Sequence, residues 1–454
     1  MRRYLGVAFL ALSAAVAGAQ SSPPAKPNIV LIIADDMGYG DLSSYGAPDI
    51  KTPNLDRLAK GGVRLTDYYA NAPVCTPTRA ALITGRYQQR VLLERPLGTS
   101  AASGHLETGL PVTGRSLPQL MKNAGYATGL IGKWHLGFKP EYQPNSHGFD
   151  YFWGYLSGYI DWYEHVRGDG VADLWENGKP VILDGYFNDE VTKRSEQFIT
   201  DHPKAPFFLE VALGQPHWPF QSPTRASVAP RAHDSMFTQP ADPNPATRAD
   251  YAAIVEDMDA GIGKILATIE RAGLAKNTIV IFISDNGGEW LSRNDPFFHR
   301  KDTVWEGGIH VPAIFRWPGV LPAGKVSSQM AITMDLTRTI LGVAGADFAN
   351  AKLEGIDLLP LLKGNGQASD RTFFWRAVYP GRQQRAVRSG RWKAILDGGA
   401  QLLFDMSRDP GERNDVAFEH PDIVTKLKSQ IEAWEKDVDT EAAALKKAPT
   451  RVGQ

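Results

Sequence analysis

Cys75 is the only cysteine among 454 residues and stands in NAPVCTPTRAALITGR, residues 71–86. Thr76 suits a helix cap, Pro77 the first helical position, Ala80 to Ile83 propagate a helix, and Gly85 suits its end. The spacing predicts a helix whose positive end faces residue 75. Backbone N–H groups there favour an anion and any negative charge developing on that residue. Taken alone, a small cysteine packed near a turn is the ordinary alternative. Asp35 and Asp36 end one apolar run, and Asp285 and Asn286 end another. A parallel sheet would bring these three carboxylates and one amide oxygen to one edge. Hard oxygen ligands of that kind suit Ca²⁺, or Mg²⁺ in a tight cavity, and do not suit zinc. Either pair by itself would equally cap the turn that follows it. Lys133 and His135 stand two apart in KWH, on one face if the segment is extended, and His217 follows a further apolar run inside the proline-stiffened QPHWP.

The elements that must position these groups are legible as periodicity. Runs at 28–34, 207–213 and 278–284 are continuous, apolar and rich in β-branched residues, as strands covered on both faces are; a run at 311–315 is weakened by Pro312. Between them, residues 54–60, 117–123, 189–199 and 251–269 read as helices, the last keeping one face apolar. The alternation predicts an α/β fold: a large, mostly parallel (mixed) sheet sandwiched by helices, with chemistry carried at the carboxyl ends of strands. From about residue 366 the pieces TFFWRAV, RWKAILD and QLLFDM, then a charged helix at 421–447, predict a smaller C-terminal antiparallel sheet plus helix. The expected division is a signal peptide at 1–20, a catalytic domain at 21–365 and a C-terminal subdomain at 366–454.

The opening residues carry MRR, an apolar stretch and Ala17-Gly18-Ala19, the pattern of a cleaved export signal too short to span a membrane. The expected protein is exported, periplasmic or secreted, without membrane insertion. A net charge of −1 shows no basic excess, which argues against nucleic acid as a partner. In an exported chain a lone cysteine has no internal disulfide partner, so it pairs with another chain, stays reactive or is modified.

Cys75-Thr76-Pro77-Thr78-Arg79 followed by Thr84-Gly85-Arg86 resembles the C-x-P-S/T-R…TGR signature of the type I sulfatases of the alkaline phosphatase superfamily. The resemblance extends along the chain through PNIVLIIADDMGYGDL, YATGLIGKWHLG, SDNGG, WEGGIHVP and LFDMSRDPGERNDV. It implies that a formylglycine-generating enzyme reads Cys75, Pro77 and Arg79 and oxidises Cys75 to a formylglycine aldehyde. It also implies a Ca²⁺ held by Asp35, Asp36, Asp285, Asn286 and residue 75. Lys133, His217 and Lys301 would bind the sulfate, His135 would bond the formylglycine hydroxyl, and Arg79 would fix the hydrate and the carboxylates. Arg300-Lys301-Asp302 stands where the family more often has Gly-Lys-Gly/Gln, and His310, given no role, stands where it often has Arg. In the implied reaction one hydroxyl of the hydrated aldehyde attacks sulfur, His217 or Lys301 protonates the leaving oxygen, and the second hydroxyl, deprotonated by His135, expels sulfate by C–O cleavage. The expected substrate is a sulfated carbohydrate or aryl sulfate, in a pocket walled by residues 88–113, 154–188 and 219–249. The alternatives are a formylglycine-dependent phosphodiesterase or phosphonate monoester hydrolase, and an exported glycan-binding protein with a dead site that uses the aromatic residues of 151–165.

Overall fold

Asn28–Ala34 is buried at every position, so it has no face to offer water and forms a strand, β1, covered on both sides. The computed structural model describes residues 26–100, 103–224, 245–366 and 370–447; the expected signal peptide and most of the 219–249 loop lie outside them. In chain order the further elements are α1 (Pro53–Lys60), β2 (Val63–Leu65), β3 (Tyr68–Tyr69), α2 (Cys75–Thr84), α3 (Leu117–Asn123), β4 (Ala127–Lys133), β5 (Tyr151–Tyr155), β6 (Trp175–Glu176) and β7 (Lys179–Pro180). Then come α4 (Phe187–Asp201), β8 (Phe207–Ala212), α5 (Arg248–Arg271), β9 (Thr278–Ser284), α6 (Glu306–Ile309), β10 (Ala313–Arg316), β11 (Lys325–Ser327), β12 (Ala331–Ile332), α7 (Thr333–Ala344) and α8 (Leu359–Lys363). The chain closes with β13 (Thr372–Tyr379), β14 (Arg382–Ser389), β15 (Trp392–Asp397), β16 (Ala400–Asp405) and α9 (Pro421–Lys447).

The main sheet has ten strands in the order β11-β2-β10-β9-β1-β8-β4-β5-β6-β7. Its centre, β9-β1-β8-β4-β5, is parallel throughout. Pro312 has no N–H to give a ladder, so the run read at 311–315 starts as a strand only at Ala313 and runs antiparallel to β9. Successive residues of β1 alternate between two cores. Ile29, Leu31 and Ile33 pack with Leu82, Met121 and Ile340 from α2, α3 and α7, while Val30 and Ile32 pack with Leu58, Val191 and Ile262 from α1, α4 and α5. That alternation makes the sandwich.

β13 to β16 form a four-stranded antiparallel sheet with α9 against it. Phe373, Trp375, Ile395 and Phe404 join this unit to Tyr69, Tyr87, Val304 and Ile309 of the main layer through a continuous apolar cluster. The start of α2 differs from its sequence reading. Val74 is the cap residue, without a side-chain bond, and Cys75 is itself the first helical residue. Thr76 is instead spent inward: its hydroxyl donates to the His135 carbonyl at 3.0 Å and accepts from Leu97 N–H at 3.2 Å. Gly85 ends α2 in the left-handed region with φ 66°, as its residue type suits.

Candidate active site

Ladder hydrogen bonds carry order past the strand ends. Asp35 N–H donates to Gln215 O at 2.9 Å and Asp285 N–H to Ala34 O at 3.1 Å, so the chain stays in register one residue beyond β1 and β9. Asp36 then turns away at φ 62°, a left-handed conformation that costs a non-glycine residue about 1–3 kcal/mol. The close approach of Gly287 to Gly307 O, where an added Cβ would lie only 1.9 Å away, folds the chain after Asn286 back over the same edge. One donor atom each from Asp35, Asp36, Cys75 and Asp285 consequently lie within 4.8 Å of one another, all buried.

Cations close the cluster. Lys133 Nζ, fully buried at the end of β4, donates to Asp35 Oδ2 at 2.5 Å, and Lys301 Nζ donates to Asp36 Oδ2 at 2.6 Å. Arg79, one turn along α2 from Cys75, places Nε 2.9 Å from Asp285 Oδ2 and donates to the Lys133 carbonyl at 3.3 Å. Asn286 Nδ2 donates to Asp36 Oδ1 at 2.7 Å, which leaves its buried Oδ1 without a partner. That orphaned acceptor, set among three carboxylates, fits a hard divalent cation. Burial would raise the Asp36 carboxyl, but Lys301 and Lys133 outweigh it and hold the group well below the usual carboxylate range. Burial, with Asp35 beside it, pushes Asp285 up to about 6 against the pull of Arg79. The Cys75 thiol points at Asp35 Oδ1 from 3.3 Å, and burial and that carboxylate push its pKa well above the ordinary thiol value. As a thiol it is inert, because nucleophilic sulfur requires the thiolate.

The two histidines have assigned tautomers. His217 Nδ1 lies against the Trp218 carbonyl, which only accepts, so the proton is on Nδ1 and Nε2 is free to accept from Lys301 Nζ at 3.3 Å. Burial pushes His217 down to about 3, while Asp36 outweighs burial at Lys301 and holds the ammonium charged. His135 Nε2 donates to the Leu97 carbonyl at 3.0 Å, leaving Nδ1 buried and unpartnered. Lys133 and His135 do not share a strand face, since His135 lies past β4 with φ 59° and its ring turns to Leu97.

All ten residues singled out from the sequence thus meet on one sheet edge. Lys301, not Arg300, enters: Lys301 is 8% exposed, whereas Arg300 lies in solvent. His310 is buried elsewhere, between Glu306 and the Thr66 carbonyl. The aromatic stretch proposed for glycan binding is mostly core: Trp153, Tyr155 and Trp162 are buried, and Trp162 Nε1 donates to Pro219 O at 2.8 Å. Sequence reasoning missed Glu289, 3.9 Å from Lys301 and pushed up to about 7 by burial; Tyr159, read only as part of the aromatic stretch, stacks its ring on His217 at 5.6 Å. Glu289 follows SDNGG directly, so the motif's edge was its only signal.

A doubly covered parallel sheet with a carboxylate and lysine cluster at its carboxyl edge, facing a helix that begins at the cysteine, defines an acid-ester hydrolase site. The chain belongs to the sulfatase family: Sulfatase matches residues 27–346, and N-sulphoglucosamine sulphohydrolase, C-terminal, matches residues 295–437. The chain is 32% identical to N-acetylgalactosamine-6-sulfatase of Canis lupus familiaris over 94% of its length and 89% of that protein. It is 33% identical to arylsulfatase A of Bos taurus over 98% of its length and 93% of that protein. Among solved structures, Ps i-CgsB in complex with k-i-k-neocarrahexaose superimposes with TM-score 0.81 at 32% identity, covering 90% of this chain and 92% of that one. The protein is a sulfuric ester hydrolase.

Proposed function

We propose that the protein cleaves sulfate esters of carbohydrates or aryl alcohols, using formylglycine made from Cys75 by a formylglycine-generating enzyme and one Ca²⁺ bound by Asp35, Asp36, Asp285 and Asn286. The observation that carries this reading is the buried thiol at the first residue of α2, aimed into a carboxylate cluster that holds an unpartnered amide oxygen. In this reading Sγ stands in for a hydroxyl oxygen of the hydrated aldehyde. The hydrate supplies a nucleophilic hydroxyl and a second one that releases sulfate, and the cation supplies the charge that lowers hydroxyl pKa. The charge count agrees. Lys133, Lys301 and Arg79 balance the three carboxylates, so a dication leaves two positive charges for a monoanionic ester and an ionised nucleophile.

The chain's own groups divide the remaining work. Lys133 and Lys301 hold the sulfate oxygens in a site sheltered from water, where fixed charges act at low dielectric. His217 and Lys301 share one proton across 3.3 Å, resident on Lys301 in the free site, and His217 Nε2 relays it to the departing oxygen. His135 takes the proton of the second hydroxyl at Nδ1, since Leu97 already occupies Nε2. Arg79 keeps Asp285 and the Lys133 carbonyl in place. We assign residues 1–20 to export into the periplasm or medium and 366–454 to a subdomain; among the described residues no helix is long and apolar enough to cross a membrane. The test is paired. Mass spectrometry of the tryptic peptide 65–79 from active protein should show it lighter by the change from thiol to aldehyde, and initial rates on an aryl sulfate should exceed those on the matching aryl phosphonate. A wholly unmodified peptide in a fully active preparation contradicts the nucleophile; faster phosphonate cleavage contradicts the substrate class.

A further inference from the structure

Trp290 is set apart from the other ten tryptophans: they are buried or half-buried, whereas Trp290 keeps 44% of its surface in water. It directly follows Glu289, whose carboxylate approaches Lys301 Nζ at 3.9 Å. Facing it, Arg300 directly precedes Lys301, is exposed, and lies 5.9 Å from the Trp290 ring centroid. A backbone bond of 3.1 Å from Lys301 N–H to Gly288 O holds the two segments side by side. Each segment therefore sends one residue into the site and its neighbour to solvent: Glu289 and Lys301 inward, Trp290 and Arg300 outward.

Neither exposed residue is part of a buried core cluster. An exposed indole forgoes the stabilisation that burying its apolar area would bring, about 25 cal/mol per Å². Arg300 forms no ion pair among the described residues, unlike the nearby Arg248 and Arg293, which pair with Asp41 and Asp49. Lys301 already has Asp36 and Glu289 beside it, whereas the Arg300 guanidinium has, among the described residues, no carboxylate within ion-pair distance and stays open to an anion from solvent. An aromatic face with a guanidinium at its edge matches a pyranose ring that presents C–H groups to the indole and an anionic substituent to the arginine.

We infer that Trp290 and Arg300 form a subsite for the leaving group, selecting a carbohydrate that carries a second anionic group beside the sulfate being cleaved. This rests on the reading of the site as a sulfate-ester hydrolase site and narrows its substrate class to polyanionic glycans. The experiment compares kcat/KM for a disaccharide with one sulfate on each ring, the same disaccharide with a single sulfate, and 4-nitrophenyl sulfate. Arg300→Gln should lower the disulfated-to-monosulfated preference about tenfold, and raising NaCl should erode the wild-type preference but not the variant's. Trp290→Ala should lower the disaccharide-to-aryl ratio about tenfold, with Trp290→Phe restoring most of it. Thermal midpoints verify folding. Ratios that stay within about twofold of wild type in Arg300→Gln and Trp290→Ala, while wild type releases sulfate, overturn the subsite alone. If wild-type protein carrying the converted residue 75 releases sulfate from none of the three substrates, the reading of the site fails and the subsite with it.

Discussion

At the residue scale the proposed chemistry turns on atoms that have lost their ordinary partners. Asn286 Oδ1 and His135 Nδ1 are buried acceptors without donors, and the Cys75 thiol faces a carboxylate that makes it harder to ionise. Left in a protein interior, such groups each cost about 1–3 kcal/mol, so they mark places where a ligand or reactant completes the structure. A serine at position 75 would keep one hydroxyl and lose the second. Cys75→Ser is therefore expected to transfer at most one sulfate per molecule and stall as a sulfate ester. Quench-flow sulfate release with intact mass measures this, and sustained turnover by the variant would refute the two-hydroxyl route. The types of these residues were readable in the chain, but their tautomers were not. Which nitrogen of His217 is free depends on the Trp218 carbonyl, and for His135 on Leu97, 38 residues away.

At the element scale, the short turn α6 is what couples the small C-terminal sheet to the catalytic edge. Lys393 of β15, fully buried, donates to Glu306 Oε1 at 2.7 Å and lies 2.7 Å from Glu412 Oε1, while Glu306 Oε2 meets Tyr69 and His310. Gly308 of the same turn accepts from Gly287 N–H at 2.9 Å, next to the proposed metal ligand Asn286. Lys393→Met would leave Glu412 buried without a cation and Glu306 with only Arg388, 3.9 Å away. An expected loss of about 3–5 kcal/mol should be read from urea unfolding, and a loss under about 1 kcal/mol would show that the network relaxes without it. Strand and helix positions in this region were legible, with Thr278–Ser284 and Pro421–Lys447 found where periodicity put them. The antiparallel direction of β10 was not, because a strand of four residues carries no sign of which way its neighbour runs.

At the scale of the whole molecule, burying many carboxylates makes stability depend on pH. Glu210 sits on β8 with Oε2 unpartnered, and burial pushes it up to about 7 against the pull of Arg79. Its native pKa lies above the ordinary value of 4.5. The native state therefore holds the proton more tightly, and this contribution is complete below about pH 4.5 and is lost as pH rises to about 7. Glu210→Gln, with Ca²⁺ present throughout, should flatten the fall in unfolding free energy across that window by up to about 1.4 kcal/mol per pH unit. Parallel curves for variant and wild type would refute the assignment.

What the sequence by itself determined was the candidate site residues and the strands that end in them, because both are local: apolar runs must be covered, and acidic residues at their ends must face an edge. The tertiary structure alone decided which groups touch. Lys301 rather than Arg300 enters the site, and Thr76 reaches inward instead of capping its helix. Cys75 begins the helix that its spacing placed just after it. Those choices follow from long-range packing of one backbone segment on another, at separations such as the 265 residues between Asp36 and Lys301, which no local pattern encodes.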